Sequence, residues 1–95
     1  MILYVDIDGT ICDSSTNDYN KSKPIKEHID KINKLFDEGN EIYYWTARGS
    51  QSGKNWTELT KKQLNEWGCK YHKLMMGKPH YDLLICDKTK RIEEI

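Results

Sequence analysis

Short apolar runs alternate with amphipathic helical segments along this chain, and that alternation restricts the fold more than any other feature. Runs rich in β-branched and aromatic side chains predict strands over 2–7 and 41–46. A first helix is predicted to begin near Pro24 and end at Gly39, residue types that favour those two helix positions. A second helix is predicted over 54–67. Strands that alternate with helices predict a parallel sheet with helices packed against it.

The remaining segments complete this pattern. Further strands are predicted over 71–76 and 82–86, a loop or small hairpin over 11–22, and a short closing helix over 88–95. The expected fold class is α/β, a Rossmann-like parallel sheet of about four strands flanked by helices. A chain of 95 residues has room for one core, so residues 1–95 are expected to form a single domain.

Composition limits the function classes. The formal net charge is zero, which gives no overall electrostatic basis for binding nucleic acid or a membrane. The three cysteines have no CxxC spacing and are expected to be reduced thiols. The apolar run at the start is too short for a signal peptide or a membrane span. We therefore expect a cytoplasmic protein without a membrane partner.

Two carboxylates stand two residues apart where the first strand runs into a glycine turn, in the sequence Asp6-Ile7-Asp8-Gly9-Thr10. Alternation along a strand places both on one side, where they repel unless a cation separates them. Mg²⁺ prefers such oxygen ligands. One aspartate can then attack phosphorus, while the other transfers protons. Gly9 and Thr10 are predicted to contact the phosphate. A surface Asp-Gly turn is the plainer alternative.

Three later polar positions also follow predicted strands. Thr46 and Ala47 can hold phosphate through a hydroxyl and backbone amides, and Arg48 can pair with an anionic group of the substrate. Lys78 can stabilise negative charge on the aspartate and on the transferring phosphoryl group. Asp87 can complete a metal shell or, as the alternative, cap a helix. Ligands bind at the carboxyl ends of parallel strands, so these residues are expected to converge.

Taken in order, these segments resemble the haloacid dehalogenase superfamily of phosphohydrolases, from Asp6 to Asp87. The resemblance implies that Asp6 is the nucleophile and Asp8 the general acid and base, with Thr46 and Lys78 as the second and third motifs. It also implies Mg²⁺ held by the Asp6 carboxylate, the Asp8 carbonyl and Asp87. The acid at position 8 is typical of the phosphatase branches, so the resemblance implies hydrolysis of phosphomonoesters through an aspartyl-phosphate.

The chain leaves no room for a cap domain, so the resemblance implies an open site. A large substrate or a second subunit in a homo-oligomer would have to cover it. The expected substrate is a sugar phosphate, a nucleotide or a nucleic-acid end. Two alternatives stay open: a nucleic-acid 3′-phosphate phosphatase, and a non-catalytic module that binds Mg²⁺ or phosphate.

The family's strand order also separates the third and fourth strands by three strand spacings, roughly 14 Å. The five residues 77–81 span roughly 17 Å when fully extended. That connection would be nearly taut. We therefore expect a shorter third strand or a smaller sheet.

Overall fold

The computed structural model describes residues 1–15 and 18–95, and a three-stranded parallel sheet forms its centre. In chain order the elements are β1 (Ile2–Asp6), β2 (Cys12–Asp13), a 3₁₀ turn (Tyr19–Lys21), β3 (Lys23–Pro24), α1 (Lys26–Asp37), β4 (Glu41–Trp45), α2 (Thr57–Glu66), β5 (Lys73–Met75) and a second 3₁₀ turn (Ile92–Glu94). The sheet order is β1-β4-β5, and β2 pairs with β3 in a small antiparallel hairpin. The predicted α/β class with a parallel sheet is confirmed.

The register of the sheet brings three strand ends together. Asp6 pairs with Trp45, and Trp45 pairs with Met75 on its other side. Because all three strands run in the same direction, the residues that follow each of them leave the sheet at one edge. The segments that carry the predicted site residues up to Lys78 therefore start from neighbouring positions.

Both helices pack on one face of the sheet. Ile32 of α1 and Leu64 of α2 belong to the same buried cluster as Ile42 and Tyr44, the alternate residues of β4 that point toward the helices. The strand alternation sends Tyr43 and Trp45 to the opposite face, where both rings meet the Tyr4 ring edge to face. The described part of the molecule thus has two layers, a sheet and a helical layer.

Local chemistry shifts the helix starts from their predicted positions. Pro24 pairs with Cys12 in the hairpin, so α1 begins two residues later, at Lys26. Asn55 Oδ1 accepts a hydrogen bond from the Thr57 N–H at 2.9 Å, and α2 begins at Thr57. None of the helices within the described residues is long and apolar enough to cross a membrane.

The predicted fourth strand over 82–86 is wrong, since this segment forms no strand in the described structure. Leu83 and Ile85 are 75% and 89% exposed, so their side chains pack against little of the molecule. An apolar run becomes a strand only where its backbone pairs with a sheet edge, and this one does not pair. The third strand is shorter than predicted, at three residues, and this sheet has three strands. Both findings agree with the expectation of a shorter third strand or a smaller sheet.

Candidate active site

The first two acids lie at the end of β1. Asp6 is the last residue of that strand, and Asp8 lies in the turn that follows. The Gly9 N–H donates to the Cys12 carbonyl at 2.9 Å, and Gly9 has φ of 82°, a backbone conformation that glycine adopts without strain. This turn holds both carboxylates beside one cavity of about 370 Å³.

The cavity brings together much of the predicted site. Its lining includes Asp6, Asp8, Ala47, Arg48 and Lys78. Thr46 follows the last residue of β4, is 1% exposed and is not among the residues that line the cavity. The five predicted lining residues therefore lie together at the sheet edge, and the contact of Thr46 with phosphate stays a prediction.

Asp6 faces a buried cation. The Lys78 Nζ lies 3.4 Å from Asp6 Oδ1, and the Lys78 side chain is 10% exposed. Burial raises the pKa of Asp6, and the charge of Lys78 offsets this only in part. Burial also acts to lower the pKa of Lys78, but a hydrogen bond with Tyr81 and the charge of Asp6 outweigh it, so that pKa lies above its usual value. Lys78 is therefore charged at neutral pH, while ionised Asp6 lacks full compensation.

Backbone hydrogen bonds fix Lys78 to the end of β4. Its N–H donates to the Thr46 carbonyl at 3.0 Å, and Ser50 Oγ donates to the Lys78 carbonyl at 2.7 Å. Thr46 Oγ1 accepts from the Arg48 N–H at 3.1 Å. An oxygen that accepts in this way keeps its own proton for donation, so the hydroxyl can serve a phosphate oxygen.

Asp8 is held by Arg48. Arg48 Nε donates to Asp8 Oδ2 at 2.9 Å and Nη2 donates to Oδ1 at 2.8 Å, a bidentate pair. Ser14 Oγ adds a third donor to Oδ1 at 2.5 Å. Burial acts to raise the pKa of Asp8, but the hydrogen bonds from Arg48 and Ser14 and the charge of Arg48 outweigh it. The pKa therefore lies below its usual value, and Asp8 is ionised at neutral pH.

This pairing corrects the predicted role of Arg48. The sequence predicts that its guanidinium pairs with an anionic group of the substrate, but in the structure the guanidinium pairs with Asp8. The Arg48 side chain has no exposed surface. A buried guanidinium needs an anionic partner in the protein, and the nearest carboxylate supplies it.

Gly9 and Thr10 shape the turn and are not among the residues that line the cavity. The Thr10 carbonyl accepts a hydrogen bond from His28 Nδ1 of α1 at 2.7 Å. The helix therefore anchors the turn that carries Asp8. The predicted contact of Gly9 and Thr10 with phosphate stays a prediction.

Asp87 lies outside the cavity lining and is exposed. Its carboxylate contacts the neighbouring Cys86 Sγ at 3.8 Å. Among the described residues, no three His, Cys, Asp or Glu side chains form a group that could hold a metal ion. Because 82–86 does not pair with the sheet, this segment does not carry Asp87 to the edge where Asp6 lies, and its role as a metal ligand stays a prediction.

A second, smaller cavity of about 190 Å³ shares Arg48 with the first and includes Gly49, Lys54 and Trp56. A Cβ atom at Gly49 would meet the Lys54 carbonyl oxygen at 2.1 Å, and Gly49 has φ of 80°. The turn between these residues closes only because position 49 has no side chain.

Sequence reasoning missed several residues that complete the site. Tyr81 lines the cavity, and Thr60 and Gln63 of α2 bind Arg48. These contacts to Arg48 span 12 and 15 residues of sequence, so no local motif announces them. The one available signal was the pair of polar residues on the inner side of an otherwise amphipathic helix.

No protein-family model matches the chain, and no curated protein matches it. Among solved structures, it is similar to the crystal structure of a target protein from Vibrio cholerae, with a TM-score of 0.89. The two are 26% identical, and the match covers 98% of this chain and 85% of the other. The similarity supports the small α/β fold described above.

Proposed function

We propose that this protein is a Mg²⁺-dependent phosphomonoester phosphatase that acts through an aspartyl-phosphate on Asp6. The observation that carries the proposal is the grouping of Asp6, Asp8 and Lys78 around one cavity, with Lys78 Nζ 3.4 Å from Asp6. A carboxylate able to attack, a cation beside it and a second carboxylate to move protons are the groups that this chemistry requires.

The first step forms the phosphoryl-enzyme. An Asp6 carboxylate oxygen attacks phosphorus, the bond from phosphorus to the leaving oxygen breaks, and the phosphoryl group remains on Asp6. Lys78 stabilises the negative charge that spreads over the phosphoryl oxygens, and the Thr46 hydroxyl donates to one of them. The leaving oxygen departs as an alcohol when it receives a proton, which the minor fraction of enzyme with protonated Asp8 supplies, leaving Asp8 ionised.

The second step releases phosphate. Water attacks phosphorus, its proton passes to the Asp8 carboxylate, and the bond between phosphorus and Asp6 breaks. Because Arg48 keeps Asp8 ionised, Asp8 starts in the form that this step needs. The first step is correspondingly easiest for leaving groups that are stable as anions, such as phenolates.

The cavity's donor chemistry fits Mg²⁺. This ion keeps several waters and is commonly bound by one or two carboxylates together with substrate phosphate oxygens. The Asp6 carboxylate and the Asp8 main-chain carbonyl are the protein groups that would hold it. When bound, Mg²⁺ supplies positive charge that offsets the repulsion between the Asp6 carboxylate and a phosphate dianion. The raised pKa of Asp6 supports this assignment, because the ionised carboxylate is under-compensated by the protein alone.

The test is turnover of p-nitrophenyl phosphate with and without Mg²⁺, followed by a panel of sugar phosphates, nucleotides and a 3′-phosphorylated oligonucleotide. We expect activity that requires Mg²⁺ and falls by about 10⁴-fold or more in Asp6→Asn. Asp30→Asn is the matched control, since Asp30 is an exposed carboxylate on α1 that pairs with Lys26. Full activity in Asp6→Asn would contradict the proposal. Preferred turnover of the oligonucleotide would identify the end phosphatase instead.

The position of Asp87 favours one second candidate, a non-catalytic module that binds Mg²⁺ or phosphate. With Asp87 outside the cavity lining, the protein supplies a small ligand set, which is sufficient for weak binding. Calorimetric titration with Mg²⁺ and with inorganic phosphate distinguishes the two. Binding without turnover of any phosphomonoester in the panel would support the module.

A further inference from the structure

Arg48 has a complete set of partners inside the protein. Nε and Nη2 bind the two oxygens of Asp8, and Nη1 donates to Thr60 Oγ1 at 3.2 Å and to Gln63 Oε1 at 2.6 Å. A further Nη2 contact reaches Ser22 Oγ at 3.5 Å. A guanidinium has five N–H donors, and these acceptors account for all of them. No donor of Arg48 is left for a substrate anion.

Gln63 connects Arg48 to the backbone of Tyr19. Its Oε1 accepts from Arg48, while its Nε2 donates to the Tyr19 carbonyl at 2.6 Å. The Tyr19 ring lies against the guanidinium, 4.7 Å from Arg48 Cζ to the ring centre. The Tyr19 ring therefore contacts the guanidinium, while hydrogen-bond acceptors of the protein bind its N–H groups.

We propose that Arg48 is a positioning residue that fixes the orientation of the Asp8 carboxylate, and that Gln63 of α2 in turn fixes Arg48. This inference rests on the proposed function insofar as Asp8 acts in the reaction. A bidentate pair defines both the distance and the plane of the carboxylate, which a lysine cannot do. The role concerns the rate of the chemical steps and not the binding of substrate, because the N–H donors of Arg48 are all taken by acceptors of the protein.

Kinetics of four variants test the role. Arg48→Met removes the charge, Arg48→Lys keeps the charge without the fork, and Gln63→Leu removes the acceptor that holds Nη1. With p-nitrophenyl phosphate and Mg²⁺ we expect kcat to fall by about 100-fold in Arg48→Met and by about 10-fold in Gln63→Leu, with KM within about twofold of the parent. Arg48→Lys should resemble Arg48→Met. Arg91→Met is the control, since Arg91 is an exposed arginine.

A second measurement does not depend on turnover. The chain has two arginines, so a ¹⁵N-labelled sample of Arg91→Met shows a single arginine Nε–H signal, that of Arg48. We expect this signal to exchange slowly with solvent, because the group is buried and bonded to Asp8. In the background of Arg91→Met, Asp8→Asn should shift it and speed its exchange, and Gln63→Leu should do so to a lesser degree.

The outcomes separate this inference from the proposed function. Arg48→Lys with the kcat of the parent would overturn the positioning role. Arg48→Met with a higher KM and an unchanged kcat would also overturn it and would favour Arg48 as a substrate ligand. If the parent hydrolyses no phosphomonoester, the proposed function fails, and the pairing is judged by the Nε–H signal alone. A signal that exchanges rapidly, or that Asp8→Asn leaves unmoved, overturns it whether or not the enzyme is active.

Discussion

Asp6 and Asp8 stand two residues apart, yet their surroundings differ in kind. Asp6 meets one lysine at 3.4 Å and retains a side chain that is 40% exposed, whereas both oxygens of Asp8 are engaged by a fully buried guanidinium. Burial raises the pKa of Asp6, while the arginine lowers that of Asp8. Neighbouring carboxylates whose pKa values are pushed apart are typical of sites that assign them different roles.

The difference also indicates which acid can be the nucleophile. A nucleophile needs an oxygen that can approach phosphorus, and the Asp6 side chain is the more exposed of the two, at 40% against 26% for Asp8. Asp8 is oriented by three hydrogen bonds and suited to proton transfer over a short distance. The following changes either remove this contrast or measure it.

The largest effect is expected from Asp8→Asn, which leaves the proposed nucleophile Asp6 but removes the proposed proton carrier. An alkyl phosphate such as a sugar phosphate needs a proton on its leaving oxygen, so its kcat/KM should fall by about 10³-fold. Because the leaving phenolate needs no proton, we expect the first step with p-nitrophenyl phosphate to fall by less than about 10-fold. Single-turnover measurements on both substrates check this, and equal losses would argue against Asp8 as the proton donor.

Arg48→Met should lower the free energy of unfolding by about 3 kcal/mol at pH 7, because it leaves a partly buried carboxylate without its counterion. The pKa of Asp8 is lower in the folded protein, so the stability that the pair contributes is present above about pH 4, the unfolded value, and is lost as the pH falls through the folded pKa. Urea unfolding across this range should show the parent and variant curves approaching each other in acid. A constant difference would contradict the linkage.

If the proposed function holds, Lys78→Met should lower kcat/KM by about 100-fold, since the cation beside Asp6 would stabilise the charge of the transferring phosphoryl group. Lys73→Met is the matched control, because Lys73 is exposed on β5, with Nζ 5.4 Å from the centre of the Tyr43 ring. Steady-state kinetics with saturating Mg²⁺ give the comparison. Similar losses of kcat/KM in both variants would argue against a specific role of Lys78 in the reaction.

The smallest effect concerns the stability of Asp6→Asn in buffer without Mg²⁺. Since the pKa of Asp6 is raised in the folded protein, its favourable contribution is present below about pH 4 and is lost as the pH rises through the folded pKa. At pH 7 the neutral amide avoids this cost, and we expect a melting temperature higher by up to about 4 °C. Calorimetry checks the sign, and a lower melting temperature would show that Asp6 is fully compensated by Lys78.

The sequence predicts much of the molecule up to Lys78. Apolar runs predict β1 and β4, and apolar periodicity predicts α1 and α2, so the meeting of Asp6, Asp8 and Lys78 follows from parallel topology. It did not predict Gln63, because its bond to the Tyr19 carbonyl spans 44 residues and depends on how α2 docks. Side-chain periodicity carries no information about such partners.

The part after Lys78 was predicted less well for a related reason. Residues 82–86 have the composition of a buried strand, yet composition does not specify which edge, if any, a strand joins. Leu84 remains 49% exposed, and Asp87 stays with the same unpaired segment. A residue that fits a sequence pattern can thus lie outside the cavity that the other residues of the pattern line.

The turn that begins at Gly49 has one more consequence. Alanine there would place a methyl carbon 2.1 Å from the Lys54 carbonyl oxygen, well inside van der Waals distance, and would also require an unfavourable positive φ. The backbone over 49–54 would have to move, and the Trp56 ring, 3.3 Å from the position of the added carbon, would lose its present contact with the turn. The shape of the smaller cavity, which Gly49, Lys54 and Trp56 line, thus depends on one position that carries no side chain.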